Sequence, residues 1–244
     1  MKSLTTTWGR LTVRVLEPET CGEAVVNAVF CHGYGAPGTD LVPLGQMLTE
    51  LEPQLSERVR FIFPEAPHDL ADLGMYGGRA WWNLDIFQLQ QAVASGQYRD
   101  LVNESPAELP ETREYFQQML TECAAATGLP PGRTILGGFS QGAMLSLDAC
   151  LHAKERPAGL VYWSGSYINQ QEWRERMTRL SGLPVYQSHG RYDPILPFNL
   201  AVQLKDDLTT AGNPVQFLEF AGQHEIPLLA LKQTAEFLRK LYDA

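Results

Sequence analysis

The sequence predicts an α/β protein in which helices cover both faces of a mostly parallel central sheet. Short apolar runs are typical of strands that are buried on both faces. Longer stretches with helical periodicity alternate with these runs along the chain. No linker, composition break or internal repeat divides the 244 residues. Residues 1–244 are therefore expected to form a single domain.

The strands follow from hydrophobic patterning. Residues 11–16 alternate apolar and polar side chains, which predicts an edge or half-exposed strand. The remaining predicted strands are continuous apolar runs at 24–31, 59–63, 134–139, 159–163, 185–188 and 215–220. Because helices separate most of these runs, right-handed crossovers between parallel strands are expected.

Five helices are predicted between and after these strands, at 41–55, 111–127, 142–151, 199–211 and 226–242. The second has Pro110 near its start and Gly128 at its end, the usual asymmetry of helix boundaries. Residues 68–110 carry no clear strand, and a structureless loop of that length is uncommon in a compact domain. We expect this segment to hold a loop and one or two short helices that cover the end of the sheet, with a surface helix over 88–101.

Composition and charge narrow the classes of partner. The chain has 19 basic and 28 acidic residues, a net charge of −9 and a sequence pI of about 5.1. An acidic chain of this kind lacks the basic footprint that nucleic acids and anionic membranes require. No apolar run approaches the roughly 18 residues of a membrane span, and the N-terminus does not resemble a signal peptide.

The four cysteines show no metal-ligand or redox spacing. Cys21, Cys31, Cys123 and Cys150 include no C-x-x-C pair, and their neighbours are mostly apolar. We expect reduced, largely buried thiols in a cytoplasmic protein, with no metal site.

A G-x-S-x-G motif at residues 138–142 places Ser140 between a predicted strand and a predicted helix. This context is typical of a nucleophile turn, in which small flanking residues let strand and helix pass closely. The alternative, a passive Gly-rich turn, stays open at this point. A phosphate loop is disfavoured because no Gly-Lys-Ser/Thr follows.

A serine nucleophile needs a general base and an orienting acid, which follow it in the chain in this type of turn. His152 lies about three helical turns beyond Ser140 and cannot reach it. Asp193 and His224 both follow predicted strands, at the edge where open α/β sheets place their sites. They are the predicted acid and base; His189 is expected to support the Asp193 turn, and Asp148 and Glu225 are weaker candidates for the acid.

An oxyanion hole is also required, because attack on a carbonyl creates a negative oxygen. The amide of Gln141, next to the nucleophile, is one predicted donor. The Gly-flanked turn at residues 32–35 follows an early strand, and its Tyr34 amide is the second predicted donor. An ordinary strand–helix turn is the alternative interpretation of this segment.

Taken together, these motifs resemble the α/β-hydrolase superfamily and, more narrowly, its phospholipase/carboxylesterase family, which includes acyl-protein thioesterases. The similarity spans most of the chain and is carried by residues 32–35, 61–67, 79–86, 137–143, 189–193 and 222–224. The resemblance implies an α/β-hydrolase fold, a Ser140–Asp193–His224 triad and backbone oxyanion donors at Tyr34 and Gln141. It also implies a cofactor-free enzyme that cleaves carboxylic esters or thioesters.

The expected activity is that of a serine esterase acting on a small-molecule ester through an acyl-enzyme. Trp81 and Trp82 are predicted to wall a hydrophobic acyl pocket, with core packing as the alternative. A peptidase or lactone hydrolase on the same scaffold stays open, as does a non-catalytic ligand-binding relative. A homodimer is compatible with the sequence.

Overall fold

Ten strands occur in the computed structural model, which describes residues 1–18, 24–84, 95, 103 and 105–242. Their bounds are β1 Lys2–Trp8, β2 Leu11–Glu17, β3 Val26–Cys31, β4 Val59–Pro64, β5 His68–Asp69, β6 Arg79–Ala80, β7 Thr134–Phe139, β8 Gly159–Trp163, β9 Val185–Gly190 and β10 Val215–Phe220.

Seven α-helices lie in the same described residues. They are α1 Val42–Leu51, α2 Leu55–Arg58, α3 Leu109–Thr127, α4 Gln141–His152, α5 Gln170–Arg176, α6 Phe198–Thr210 and α7 Leu228–Tyr242. None of these helices is long and apolar enough to cross a membrane.

Eight strands form one sheet in the order β1-β2-β4-β3-β7-β8-β9-β10. β1 pairs with β2 and β2 with β4 in antiparallel fashion, and all the other neighbours are parallel. The predicted mostly parallel sheet is therefore confirmed. The loops after β3, β7, β9 and β10 all leave the carboxyl edge of the sheet, where open α/β sheets place their sites.

Each face of the sheet has its own hydrophobic core, as the buried runs of β3 and β4 require. On β4, Phe61 and Phe63 pack with α1 and α7, whereas Ile62 packs on the other face with α3, α4 and α6. Alternate side chains of a strand point to opposite faces, so a continuous apolar run serves both cores. Helices on both faces are thus confirmed.

All seven strands and five longer helices predicted from the sequence are present, with ends shifted by a few residues. β1 is an additional strand. Its partly buried side carries Leu4, Thr6 and Trp8, and the polar Thr6 hides the alternation that would predict a strand. Gly9, at φ +58°, forms the tight turn that pairs β1 with β2.

Within residues 68–110, the expectation of no strand was wrong. β5 and β6 form a two-stranded sheet, but two residues each are too few to show a period. A 3₁₀ turn at Ala71–Leu73 lies between them. The surface helix predicted over 88–101 falls almost wholly outside the described residues, as does the expected covering role of that stretch.

Candidate active site

Ser140 lies on a strained turn between β7 and α4. Its φ of +55° and ψ of −118° fall in a region that residues with a Cβ rarely adopt. Such a conformation costs on the order of 1–3 kcal/mol and persists only where neighbouring contacts enforce it. Here the Ser140 amide donates to the Trp163 carbonyl at 2.9 Å, and the Ser140 carbonyl accepts from Met144 at 3.1 Å. The turn is therefore held from β8 on one side and from its own helix on the other.

Both glycines of the motif are required by close backbone contacts. A Cβ on Gly138 would lie 2.4 Å from the Cys31 carbonyl oxygen, and one on Gly142 would lie 2.1 Å from the same atom. These are clashes with backbone, which cannot rotate away. The turn can therefore sit against the end of β3 only with glycine at both positions.

Asp193 and His224 are joined directly. Nδ1 of His224 lies 2.7 Å from Oδ2 of Asp193. The other oxygen, Oδ1, accepts from the amides of Ile195 and Leu196 at 2.8 and 2.9 Å. Burial alone would raise the pKa of Asp193, but these hydrogen bonds and the facing imidazole outweigh it and hold the pKa below its ordinary value.

His189 supports this pair, as the sequence indicated. Its Nε2 donates to the Leu196 carbonyl at 2.9 Å and lies 3.3 Å from Oδ2 of Asp193. The side chain is fully buried, and burial lowers the pKa of His189 below its ordinary value, which favours the neutral imidazole at neutral pH. His152 contacts Asp148 and Glu172 instead, away from the predicted triad.

The loop that carries His224 is brought to the serine by packing. The His224 ring lies 4.7 Å, centroid to centroid, from that of Phe139, the residue before Ser140. A Cβ on Gly190 would lie 2.1 Å from the Gln223 carbonyl oxygen, so this approach also depends on a glycine. Among the described contacts there is no direct hydrogen bond between Ser140 and His224. Such bonds often tighten only when substrate is bound.

A further anchor for this loop, Ser164, was missed by sequence reasoning. Ser164 follows β8, is fully buried and has a φ of +47°. Its hydroxyl donates to the Glu225 carbonyl at 3.1 Å, one residue after His224. A lone serine after a strand carries no signal of this contact in the sequence.

The turn at residues 32–35 passes beside the serine. A Cβ on Gly33 would lie 3.5 Å from the Ser140 Cβ. The Gly35 amide donates to the Arg79 carbonyl at 2.9 Å, and the Arg79 amide donates to Ala36 at 3.1 Å, which pins the turn to β6. In the part of the chain that is described, the Tyr34 amide donates to no carbonyl. The Gln141 amide is in the first turn of α4, where amides have no partner within the helix.

Glu65 holds Arg79 in place, and this ion pair was also not predicted. Its carboxylate contacts Arg79 at 2.8 Å and Arg14 at 2.8 Å. Burial alone would raise the pKa of Glu65, but the two guanidinium groups outweigh it and lower the pKa. The three residues are far apart in the chain, so no local pattern could show the contact.

Trp81 and Trp82 are not placed as the predicted walls of an acyl pocket. Both side chains are fully buried and belong to the core on the α3 and α4 face. The Trp81 ring lies near His32 and edge-on to Phe116. In a free enzyme a pocket wall would be exposed to solvent, so the core-packing alternative describes both residues.

The described cysteines are buried and free. Cys31, Cys123 and Cys150 form no disulfide, and burial raises the pKa of each thiol, that of Cys123 to about 11. These three thiols are therefore protonated and unreactive at neutral pH. Cys21 lies outside the described residues.

Comparison with known proteins identifies the family to which the chain belongs. The profile of the phospholipase/carboxylesterase family matches residues 12–242. Acyl-protein thioesterase 1 of Neurospora crassa is 26% identical over 216 residues, which cover 87% of this chain and 85% of that protein. The protein of the same name from Eremothecium gossypii is 30% identical over 174 residues, covering 69% of this chain and 66% of the relative.

Solved structures show the same fold. The crystal structure of esterase PE8 aligns with a TM-score of 0.77 and 26% identity, covering 99% of this chain and 100% of that one. The Bacillus cereus carboxylesterase aligns with a TM-score of 0.69 at 17% identity, covering 95% and 94% of the two chains, and shows the fold alone. The chain therefore belongs to the phospholipase/carboxylesterase family and is a serine esterase with the α/β-hydrolase fold.

Proposed function

We propose that the chain hydrolyses carboxylic esters or thioesters through an acyl-enzyme, with Ser140 as nucleophile, His224 as general base and Asp193 as orienting acid. The observation that carries this proposal is the 2.7 Å contact between Asp193 and His224, whose ring packs on the residue before the strained serine. The position of all three residues on loops that leave the carboxyl edge of the sheet supports the proposal.

In the first half of the reaction, His224 takes the Ser140 proton as the serine oxygen attacks the carbonyl carbon. Asp193 holds the proton on Nδ1 of His224, so that Nε2 is free to accept, and stabilises the imidazolium that forms. The tetrahedral oxyanion is stabilised by the Tyr34 and Gln141 amides. Collapse releases the alcohol or thiol, which takes the proton from His224.

In the second half, water attacks the acyl-enzyme with His224 again as base, which releases the carboxylic acid and restores Ser140. Each step needs only groups that this chain supplies and one water molecule. The proposal therefore assigns no role to a cofactor.

The surface near the site favours substrates with an apolar acyl part. Of the eight exposed large apolar side chains among the described residues, all except Met47 lie in three short stretches of the chain, at residues 73–76, 192–195 and 228–229. These seven are Leu73, Met75, Tyr76, Tyr192, Ile195, Leu228 and Leu229. Met75 lies against Gly35 in the predicted oxyanion turn, and Tyr192 and Ile195 flank Asp193. Exposed apolar side chains next to predicted site residues are typical of ligand-binding surfaces.

The test is hydrolysis of p-nitrophenyl esters and matched alkyl thioesters of increasing acyl length by the wild type and Ser140→Ala. We expect the wild type to hydrolyse them, with kcat/KM rising with acyl length, and Ser140→Ala to be inactive but folded. A fluorophosphonate probe should label the wild type and not the variant. Full activity of Ser140→Ala would refute the proposed nucleophile. Labelling without turnover of any ester or thioester would refute the proposed substrate class. A lactone and a peptide substrate, assayed in parallel, would then distinguish a lactone hydrolase or peptidase from a ligand-binding relative.

A further inference from the structure

Gln141 contributes more than a backbone amide to the proposed oxyanion hole. The residue is 1% exposed, and its side-chain amide pairs with the backbone of Trp81 and Trp82. Oε1 accepts from the Trp81 amide at 2.9 Å, and Nε2 donates to the Trp82 carbonyl at 2.8 Å. Accepting and donating at once is possible for a primary amide but not for a carboxylate. These two side-chain bonds fix the orientation of Gln141, whose backbone amide is the proposed oxyanion donor.

The other proposed donor, the Tyr34 amide, is oriented through His32. The Gly33 carbonyl, which belongs to the same peptide unit as the Tyr34 amide, accepts from Nδ1 of His32 at 2.8 Å. In a trans peptide the C=O and N–H groups point in opposite directions, so holding the carbonyl aims the amide. Nε2 of His32 accepts from the Ala66 amide at 3.1 Å, which leaves the proton on Nδ1. His32 is 2% exposed, and this burial favours the neutral imidazole that the two bonds require.

Trp81 connects these two arrangements. Its backbone amide holds the Gln141 side chain, and its indole Nε1 donates to the His32 carbonyl at 2.9 Å. Its own carbonyl accepts from the Thr112 hydroxyl at 2.6 Å, which anchors it to α3. Trp81 is fully buried, so water does not compete for these bonds.

We propose that Trp81 is a positioning residue that sets both amides of the oxyanion hole, through Gln141 on one side and His32 on the other. This inference rests on the proposed serine mechanism. A well-ordered hole stabilises the transition state and not the bound substrate, so the loss of Trp81 contacts should reduce kcat rather than raise KM.

The experiment compares the wild type, Trp81→Phe and Gln141→Met on one p-nitrophenyl ester. Trp81→Phe keeps an aromatic ring but removes the indole N–H, and Gln141→Met keeps the backbone amide but removes the side-chain bonds. Removing an oxyanion donor outright typically costs about a hundred- to a thousandfold in kcat. For a misdirected donor we expect a loss of roughly ten- to a hundredfold, with KM within about twofold. Affinity for an alkyl trifluoromethyl ketone, which forms a tetrahedral adduct on serine, should fall in parallel with kcat.

Two matched controls separate positioning from packing. Trp173 is fully buried and its indole N–H donates to Asp148 at 3.0 Å. Gln187 is fully buried and its Nε2 donates to the Ala201 carbonyl at 2.8 Å. Trp173→Phe and Gln187→Met should lower Tm as the test variants do, but leave kcat and ketone affinity near the wild-type values.

The proposal is overturned if both test variants keep wild-type kcat, if they raise KM alone, or if the controls lose kcat to the same extent. Should Trp81→Phe fail to fold, Gln141→Met still tests the other side of the proposal, the bond between the Gln141 side chain and the Trp81 backbone amide. Ser140→Ala is measured in parallel. Full activity in that variant removes the mechanism on which this inference rests, whereas an inactive Ser140→Ala with unaffected test variants overturns the Trp81 role alone.

Discussion

Asp193 presents its two carboxylate oxygens to different partners: Oδ1 accepts from two backbone amides, and Oδ2 faces Nδ1 of His224 at 2.7 Å. The amides of Ile195 and Leu196 can only donate, so any residue that replaces Asp193 must place an oxygen there to keep these two bonds. The carboxylate oxygen that faces Nδ1 of His224 can only accept, so the site selects the tautomer with its proton on Nδ1, and this leads to the first prediction.

Asp193→Asn should reverse the tautomer of His224. The asparagine oxygen would stay with the two backbone amides, and its NH₂ group would face Nδ1, which must then accept. The imidazole proton would move to Nε2, where it blocks removal of the serine proton. We expect kcat to fall by about 10⁴-fold, the magnitude typical of an incorrect triad tautomer. Steady-state kinetics at pH 7.5 check this, with Tm as a measure of folding. A loss below tenfold in a folded variant would contradict the assigned role.

Ser164→Gly should reduce activity with little loss of stability. Glycine tolerates the φ of +47°, but the variant lacks the hydroxyl that holds the Glu225 carbonyl next to His224. We expect kcat to fall by several-fold while Tm changes by no more than a few degrees. The matched control is Asn169→Gly, at φ +45°, which should leave kcat unchanged. Equal kinetics in the two variants would show that Ser164 does not position His224.

Gly142→Ala should be poorly tolerated, because its Cβ would lie 2.1 Å from the Cys31 carbonyl oxygen. Overpacking of this kind typically costs about 1–3 kcal/mol, and more where backbone must move. We expect a lower free energy of unfolding in urea and loss of esterase activity together. Gly132→Ala is the control, since no atom lies within 4 Å of the added Cβ. A Gly142→Ala variant as stable as the control would argue against the close approach of α4 to β3.

Stability should fall as the pH is lowered from about 6.5. His189 and His32 are buried, and burial lowers the pKa of both below the ordinary value of 6.5. Below pH 6.5 the unfolded chain gains protons at these residues that the folded chain does not, so unfolding is favoured. Each such group contributes at most about 1.4 kcal/mol per pH unit. This stability is present above pH 6.5 and is lost as the pH falls toward the folded-state values.

His189→Gln tests this effect, because glutamine can still donate to the Leu196 carbonyl but does not titrate. We expect its unfolding free energy, measured in urea at pH 7, 6 and 5, to decline less steeply than that of the wild type. The Phe198 ring packs on His189, and Phe198 does not titrate. The comparison variant Phe198→Leu should therefore lower the unfolding free energy equally at all three pH values. A slope in His189→Gln identical to that of the wild type would show that His189 is not held neutral.

The local sequence determined those strands, helices and turns that depend on residues close together in the chain. Apolar runs and helical periodicity predicted seven strands and five helices, because strands buried on both faces and helices on a sheet must carry those patterns. The Gly138–Gly142 motif, placed between a strand and a helix, predicted the turn at Ser140. Asp193 and His224 each follow a predicted strand, which predicted that both residues lie at the carboxyl edge of the sheet.

Tertiary structure alone decided what holds these groups in place. The aromatic pair Trp81 and Trp82 suggested an acyl pocket, but both indoles are buried, and Trp81 contacts Gln141 and His32. The Ser164 contact with Glu225 joins residues 61 positions apart. Hydrogen bonds of this kind depend on atomic positions that arise only when distant segments pack. The type of a side chain and its neighbours in the sequence therefore do not identify its distant partner.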